Sequence, residues 1–311
     1  MKSIVVALGL LTGVVQAHVA IDVCGEVVEF KQVPKRAIAN DINMLKIMLA
    51  LDLTANMAGY SGVSAHHKMP DELALTVKDL PEIAPKYPSM ENLLNADADF
   101  YFAGWNYGME VGGAVTPSTL AKYDIPTYAI KESCAHVQTR PHISLEDTFY
   151  DIDSIGAIFN VSGRAKVLND GFKQRLAEVE LRLAGVPSKS VFVYDSGQDK
   201  PFTAGALAVP HAIIAAAGGH NVMANVKQSW TRVSWEAVVE TDPEHIVIID
   251  YGQPSAAEKI AFLKRFPATQ GVKAVVNDSF TILSYAAATP GIENIDAVEL
   301  LAKDLYPQRF K

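Results

Sequence analysis

From Arg36 onward the chain switches between short apolar runs and longer stretches with apolar residues three or four apart, which predicts strands alternating with helices. Arg36 to Asn40 opens the series. Met44 to Leu53 has helical spacing, Ala55 to Tyr60 reads as a short strand, and Ser61 to Lys68 as a polar, glycine-containing loop. Phe100 to Gly104 and Thr127 to Ile130 are further strands, separated by the helix-like Ser118 to Tyr123. In the second half Ser190 to Tyr194, His245 to Asp250 and Phe280 to Ser284 are the strand candidates. This alternation predicts an α/β fold with parallel sheets covered by helices on both faces.

The middle of the chain breaks the rhythm. Ser144 to about Gly185 has no strand signal and keeps helical spacing throughout. Ser144-Leu145-Glu146-Asp147 opens it as a cap with an acidic first turn, and Gly185-Val186-Pro187 closes it. A division near Asn160-Val161-Ser162, at Gly163, leaves a second helix from Arg164 to Ala184, about 30 Å long at the helical rise. The expected organisation is a leader over residues 1–17, an N-terminal α/β lobe over 18–143, linker helices over 144–185 and a C-terminal α/β lobe over 186–311. The two halves also echo each other. Ser89-Met90-Glu91 and the apolar run after Asp99 stand in register with Ser234-Trp235-Glu236 and the apolar run after Glu244. Each segment predicts a short helix with a glutamate in its first turn, where the helix dipole favours an anion.

Composition narrows the class. An apolar fraction of 49% over 311 residues supports one or two cored domains, and a net charge of −8 disfavours nucleic acid as a partner. Lys2, the apolar run Ile4 to Val15 and Val15-Gln16-Ala17 read as a cleavable secretory signal. The expected product is a soluble periplasmic monomer. In that oxidising compartment the two cysteines, Cys24 and Cys134, are expected to pair, with two buried free thiols as the alternative.

With these features in place the chain resembles the helical-linker periplasmic binding proteins of ABC importers for ferric siderophores, cobalamin and haem. The resemblance runs over nearly the whole expected mature chain. It rests on Pro34-Lys35-Arg36-Ala37-Ile38-Ala39, Ser89-Met90-Glu91, Thr203-Ala204-Gly205, Ala217-Gly218-Gly219-His220-Asn221-Val222, Val233-Ser234-Trp235-Glu236 and Pro290-Gly291-Ile292-Glu293-Asn294. It implies two Rossmann-like lobes joined by a long helix, ligand capture between them and no catalysis. It also implies that one surface glutamate per lobe docks onto permease arginines, at positions matching Glu91 and Glu236.

Ligands of open α/β sheets sit beyond the carboxyl ends of the strands, which selects the loops after each predicted strand. The candidates there are Tyr60, Trp105, Tyr107, Met109 and Arg140 in the first lobe. In the second they are Lys200, Trp230, Arg232, Tyr251 and Tyr285. Trp105 and Tyr107, just after a strand, are expected to form a flat wall for a ring or metal chelate. Arg232 is a candidate partner for an anionic chelate. The pair His66-His67 reads as a solvated loop, because adjacent residues rarely chelate one ion; no resident metal or cofactor is expected, and metal enters inside the ligand. The expected ligand is a ferric siderophore, with haem or a corrinoid as the alternative and a free metal ion further off. Enzymatic activity is disfavoured, since the chain has no Gly-x-Gly-x-x-Gly after its first strand, no Walker loop and no Gly-x-Ser-x-Gly elbow.

Overall fold

A computed structural model of the chain describes residues 19–65 and 69–311. The expected leader, residues 1–17, and the His66, His67 and Lys68 positions lie outside the described residues.

The described chain opens with a hairpin, β1 (Val19–Val23) and β2 (Glu26–Phe30), that the sequence pattern had not announced. Its two-residue turn is Cys24-Gly25, both at positive φ, the geometry whose twist matches the flanking strands. The first lobe follows with β3 (Ala37–Asn40), α1 (Asp41–Ala50), β4 (Met57–Ser61), α2 (Asp71–Thr76), β5 (Glu82–Ala84) and α3 (Met90–Asn95). It ends with β6 (Phe100–Trp105), β7 (Gly108–Met109), α4 (Pro117–Leu120) and β8 (Thr127–Ala129). Two long helices come next, α5 (Leu145–Ile158) and α6 (Ser162–Leu183).

The second lobe runs β9 (Lys189–Tyr194), β10 (Phe202–Ala204), α7 (Val209–Ala216), β11 (Gly219–Asn221), β12 (Trp230–Arg232) and α8 (Trp235–Thr241). It continues with β13 (His245–Asp250), α9 (Ala256–Arg265), α10 (Lys273–Val276), β14 (Phe280–Ser284), α11 (Tyr285–Ala288) and α12 (Asn294–Leu305).

Each lobe is a parallel sheet. In the first, β5-β4-β3-β6 lie side by side and β8 pairs with β6. In the second the order is β11-β9-β13-β14. The central strands are the apolar ones: all four residues of β3 are buried, as are the first five of β13, as expected when both faces of a parallel sheet are covered. In both sheets the strand order reverses direction at the first strand, β3 or β9, whose carboxyl end therefore opens a crevice.

The linker departs from its expected form in one detail. The break falls at residues 159–161, with Asn160 at φ +56°, and Gly163 lies inside α6. The close approach is made instead by Gly156, where a Cβ would sit 2.5 Å from that of Ala165. Only a glycine lets α5 and α6 pack that tightly at their junction. Helix α6 buries Ala165, Asn169, Phe172, Val179 and Leu183, a stripe at helical spacing that faces the protein while its other sides meet solvent. Arg175 on α6 holds Glu299 and Asp296 of α12, tying the linker to the second lobe.

The disulfide between Cys24 and Cys134 is formed, with Cα atoms 5.0 Å apart. It fastens the turn of the β1–β2 hairpin to the turn after β8. No helix among the described residues is long and apolar enough to cross a membrane.

Candidate ligand-binding site

The carboxyl ends of the two sheets face each other, and a cavity of about 270 Å³ lies between them. From the first lobe it is lined by Asn106 and Tyr107, which follow β6, and by His136, which follows β8. The second lobe supplies Asp195 after β9, Phe202, Ser229, Trp230 and Tyr285 after β14. Phe202 and Trp230 come from the antiparallel pair β10–β12 and stack with centroids 5.8 Å apart and planes at 28°. Tyr107 is 7% exposed, and the Trp230 indole N–H is directed at its hydroxyl from the other lobe. Burial pushes the Tyr107 phenol well above its ordinary range, so it stays a neutral hydrogen-bonding group.

A second hollow of about 390 Å³ shares Tyr285 with the first and is lined by Lys46, Asp250, Tyr251 and Glu293 among others. Tyr285 therefore lines both hollows. Its hydroxyl donates to Asp41 Oδ2 at 2.6 Å. Asp41 sits at the switch point of the first sheet, directly after β3, at φ +74°. It is buried, and burial raises its carboxyl to about 6 although the Tyr285 hydroxyl and the Asn43 N–H pull it down.

The neighbouring turn of α1 completes the seam. Asn43 Nδ2 reaches Thr289 Oγ1 at 2.8 Å and the carbonyls of Ala286 and Thr289, and Lys46 pairs with Glu293. The Gly291 backbone lies so close to the Asn43 side chain that a Cβ there would meet Asn43 Cγ at 2.6 Å. At the switch point of the second sheet, Asp195 accepts from Tyr251 at 2.9 Å and from Ser196 at 2.7 Å. A two-lobed cleft walled by aromatic rings, with hydrogen-bonding groups at both switch points and a helical linker, is a capture site for a small molecule.

Comparison with known proteins identifies the type. The sequence profile described as "Periplasmic binding protein" matches residues 41–285. The chain belongs to the periplasmic binding protein family.

Its helical-linker form is that of ABC import systems, so a small-molecule ligand and an ABC permease are its partners, and its setting is periplasmic or otherwise extracytoplasmic. A periplasmic binding protein from Veillonella parvula superimposes with a TM-score of 0.81 at 26% identity, covering 94% of this chain and 98% of that one. A Saccharomonospora viridis protein of an ABC-type Fe3+-hydroxamate transport system gives 0.78 at 21% identity, covering 92% and 98%. The molybdate periplasmic binding protein MolA of Haemophilus influenzae gives 0.75 at 20%, covering 94% and 92%. At these last two identities the likeness is one of fold.

Within this binding protein the residues singled out from sequence separate into groups. Tyr107, Trp230, Tyr251 and Tyr285 line the cleft. Trp105 does not share the wall of Tyr107. The chain reverses at Asn106, φ +63°, with Gly104 and Tyr107 bonded to each other, and Trp105 lines a different hollow, beside Cys24 and Thr116. Tyr60 is buried in the first-lobe core next to Glu82, and Met109 is a core residue.

The cations are engaged elsewhere. Arg140 is paired with Asp147 at 2.7 Å and donates to the Lys131 carbonyl. Arg232 lies over the Phe202 ring and donates to the carbonyl of Lys200, whose own side chain is exposed. Glu91 and Glu236 are exposed in the first turns of α3 and α8, capped by Ser89 and Ser234, so the echoed segments form the same local structure. Neither glutamate forms an ion pair with a described residue. Among the described residues no three of His, Cys, Asp and Glu gather as a metal-binding group.

Sequence reasoning passed over Asp41 and Asn43. They follow β3 with no intervening loop, so a search of loops skips them; the junction of the first strand with its helix was the available signal. Glu132, in the strand-end loop Glu132 to Arg140 that the sequence picks out after β8, is 1% exposed. Burial foremost, then the Asp147 charge, pushes its carboxyl up to about 8. It faces the Val209 N–H at the start of α7 without closing a hydrogen bond.

Proposed function

We propose that this protein captures a ferric siderophore between its lobes and hands it to an ABC permease, without catalysis and with no metal of its own beyond the ion inside the chelate. The observation that carries this reading is the stacked Phe202–Trp230 pair, set with Tyr107 and Tyr285 around one cavity, with a second hollow on the other side of Tyr285. Ring faces and phenols suit the organic shell of a chelate, which offers apolar surface and oxygen acceptors together. A cavity of about 270 Å³ beside a second of about 390 Å³ suits a ligand larger than a bare oxyanion. Export through the leader at residues 1–17 and docking through Glu91 and Glu236 belong to the same proposal, and the exposed, Ser-capped placement of both glutamates supports it.

The test uses intrinsic fluorescence, because Trp230 lines the cavity. Titration with ferric siderophores should quench emission saturably at one ligand per chain. Saturable quenching by haem or a corrinoid alone would move the ligand to the tetrapyrrole class. No response to any metal chelate, together with no rise in thermal midpoint, would refute the proposal.

A further inference from the structure

We infer that the chelate taken by this cleft carries zero or positive net charge, the class in which three hydroxamate groups neutralise ferric iron and any pendant amine stays protonated. This rests on the iron-chelate reading above and adds to it the charge of the ligand.

The argument is the balance of charge around the two basins. Asp195 lines the first, and Asp250 and Glu293 line the second. Asp41 lies directly behind Tyr285. Against these four carboxyl groups the linings offer, among the described residues, a single ammonium, Lys46, already bonded to Glu293. His136, the remaining titratable nitrogen of the first basin, is held neutral by burial, which lowers its pKa.

Of the nearby cations among the described residues, the Lys200 side chain is exposed and does not line either hollow, and the others are turned to other tasks. Lys259 donates to the Ile249 carbonyl from beneath the Tyr251 ring. Arg140 is locked to Asp147, and Arg232 to the Lys200 carbonyl. A site built for a tris-catecholate, with three negative charges, would direct guanidinium or ammonium groups inward. Here the inward groups are phenols, which stay neutral, and carboxylates. In a partly desolvated cleft, each negative charge placed near Asp195 weakens binding roughly tenfold at an effective dielectric of about 20. A protonated amine tail gains by a similar factor.

The experiment is isothermal titration of the full protein with three ferric chelates: a linear tris-hydroxamate bearing one free ammonium, a neutral cyclic tris-hydroxamate and a tris-catecholate. The cationic and neutral complexes should bind at least about tenfold more tightly than the catecholate, with the cationic one weakening as salt rises. Asp195→Asn keeps an oxygen to accept from Tyr251 and should cut the ratio of cationic to anionic affinity by at least about tenfold, because the two complexes differ by several charges. Asp250→Asn tests the second basin in the same way. A catecholate that binds as tightly as the hydroxamates, or a ratio that neither substitution changes, overturns the charge inference and leaves the chelate reading standing. Binding of none of the three refutes the chelate reading itself.

Discussion

The hydrogen bond from Tyr285 to Asp41 joins the two lobes through residues 244 positions apart, and its removal gives a measurable result. Tyr285→Phe deletes one hydroxyl and leaves the ring in place. A hydrogen bond to a charged, buried acceptor contributes about 1.5–3 kcal/mol, so at pH 7 the variant should lose that much stability. The pH dependence follows from Asp41, whose carboxyl is raised from 3.8 to about 6, chiefly by burial. The folded state then binds the proton more tightly than the unfolded state. Stability from this group is full below pH 4 and is lost as pH rises through 6, a cost of about 3 kcal/mol at neutral pH. Without the Tyr285 donor the carboxyl rises further. The deficit of the variant should therefore be largest above pH 7 and shrink below pH 5, where Asp41 is protonated in both proteins. Urea denaturation at pH 7.5 and pH 4.5 measures this. Equal midpoints at pH 7.5, or a deficit of the same size at both values, would refute a charge-assisted bond across the seam.

Trp230→Ala should weaken ligand binding by about 1–3 kcal/mol, since it removes half of the stacked wall; wild-type affinity by calorimetry would return Trp230 to a packing role. Glu91→Ala with Glu236→Ala should leave ligand affinity unchanged and cost no more than about 1 kcal/mol of stability per site. Uptake in cells should nevertheless fall, and normal uptake would reduce the echoed segments to a structural repeat. Replacing Cys24 and Cys134 by Ser opens a loop of 110 residues, with an expected loss of about 3–5 kcal/mol; an unchanged denaturation midpoint would show that the first lobe holds its hairpin without the bridge.

The strands were legible wherever apolar residues ran together. Phe100 to Gly104 lies within β6 and His245 to Asp250 is β13, because strands buried on both faces must be apolar throughout, and Phe280 to Ser284 is the edge strand β14, whose buried and exposed positions alternate. The matched Ser-x-Glu segments were legible too, since a serine cap and a first-turn acid act within four residues. Short or half-exposed elements were not. The β1–β2 hairpin mixes charged and apolar residues, and its turn is fastened to Cys134, 110 positions away.

Within the cleft the division is sharper. The sequence by itself determined that Tyr107, Trp230, Tyr251 and Tyr285 stand at or near strand ends, because strand ends are set by local periodicity. It could not decide that Trp105 and Tyr107 part company, since that depends on one reversed residue, Asn106. Nor could it decide that Arg140 is bonded to Asp147 and Arg232 to the Lys200 carbonyl while Asp41 and Asp195 stand at the two switch points. Which charges face the cleft is settled by contacts that periodicity does not report: the Lys200 carbonyl for Arg232 and Tyr285 for Asp41 between distant segments, and Asp147 for Arg140 across the turn into α5. Periodicity reports the few residues around a position, whereas the charge of a cavity depends on which side chains find partners elsewhere, and only the packed fold sets that.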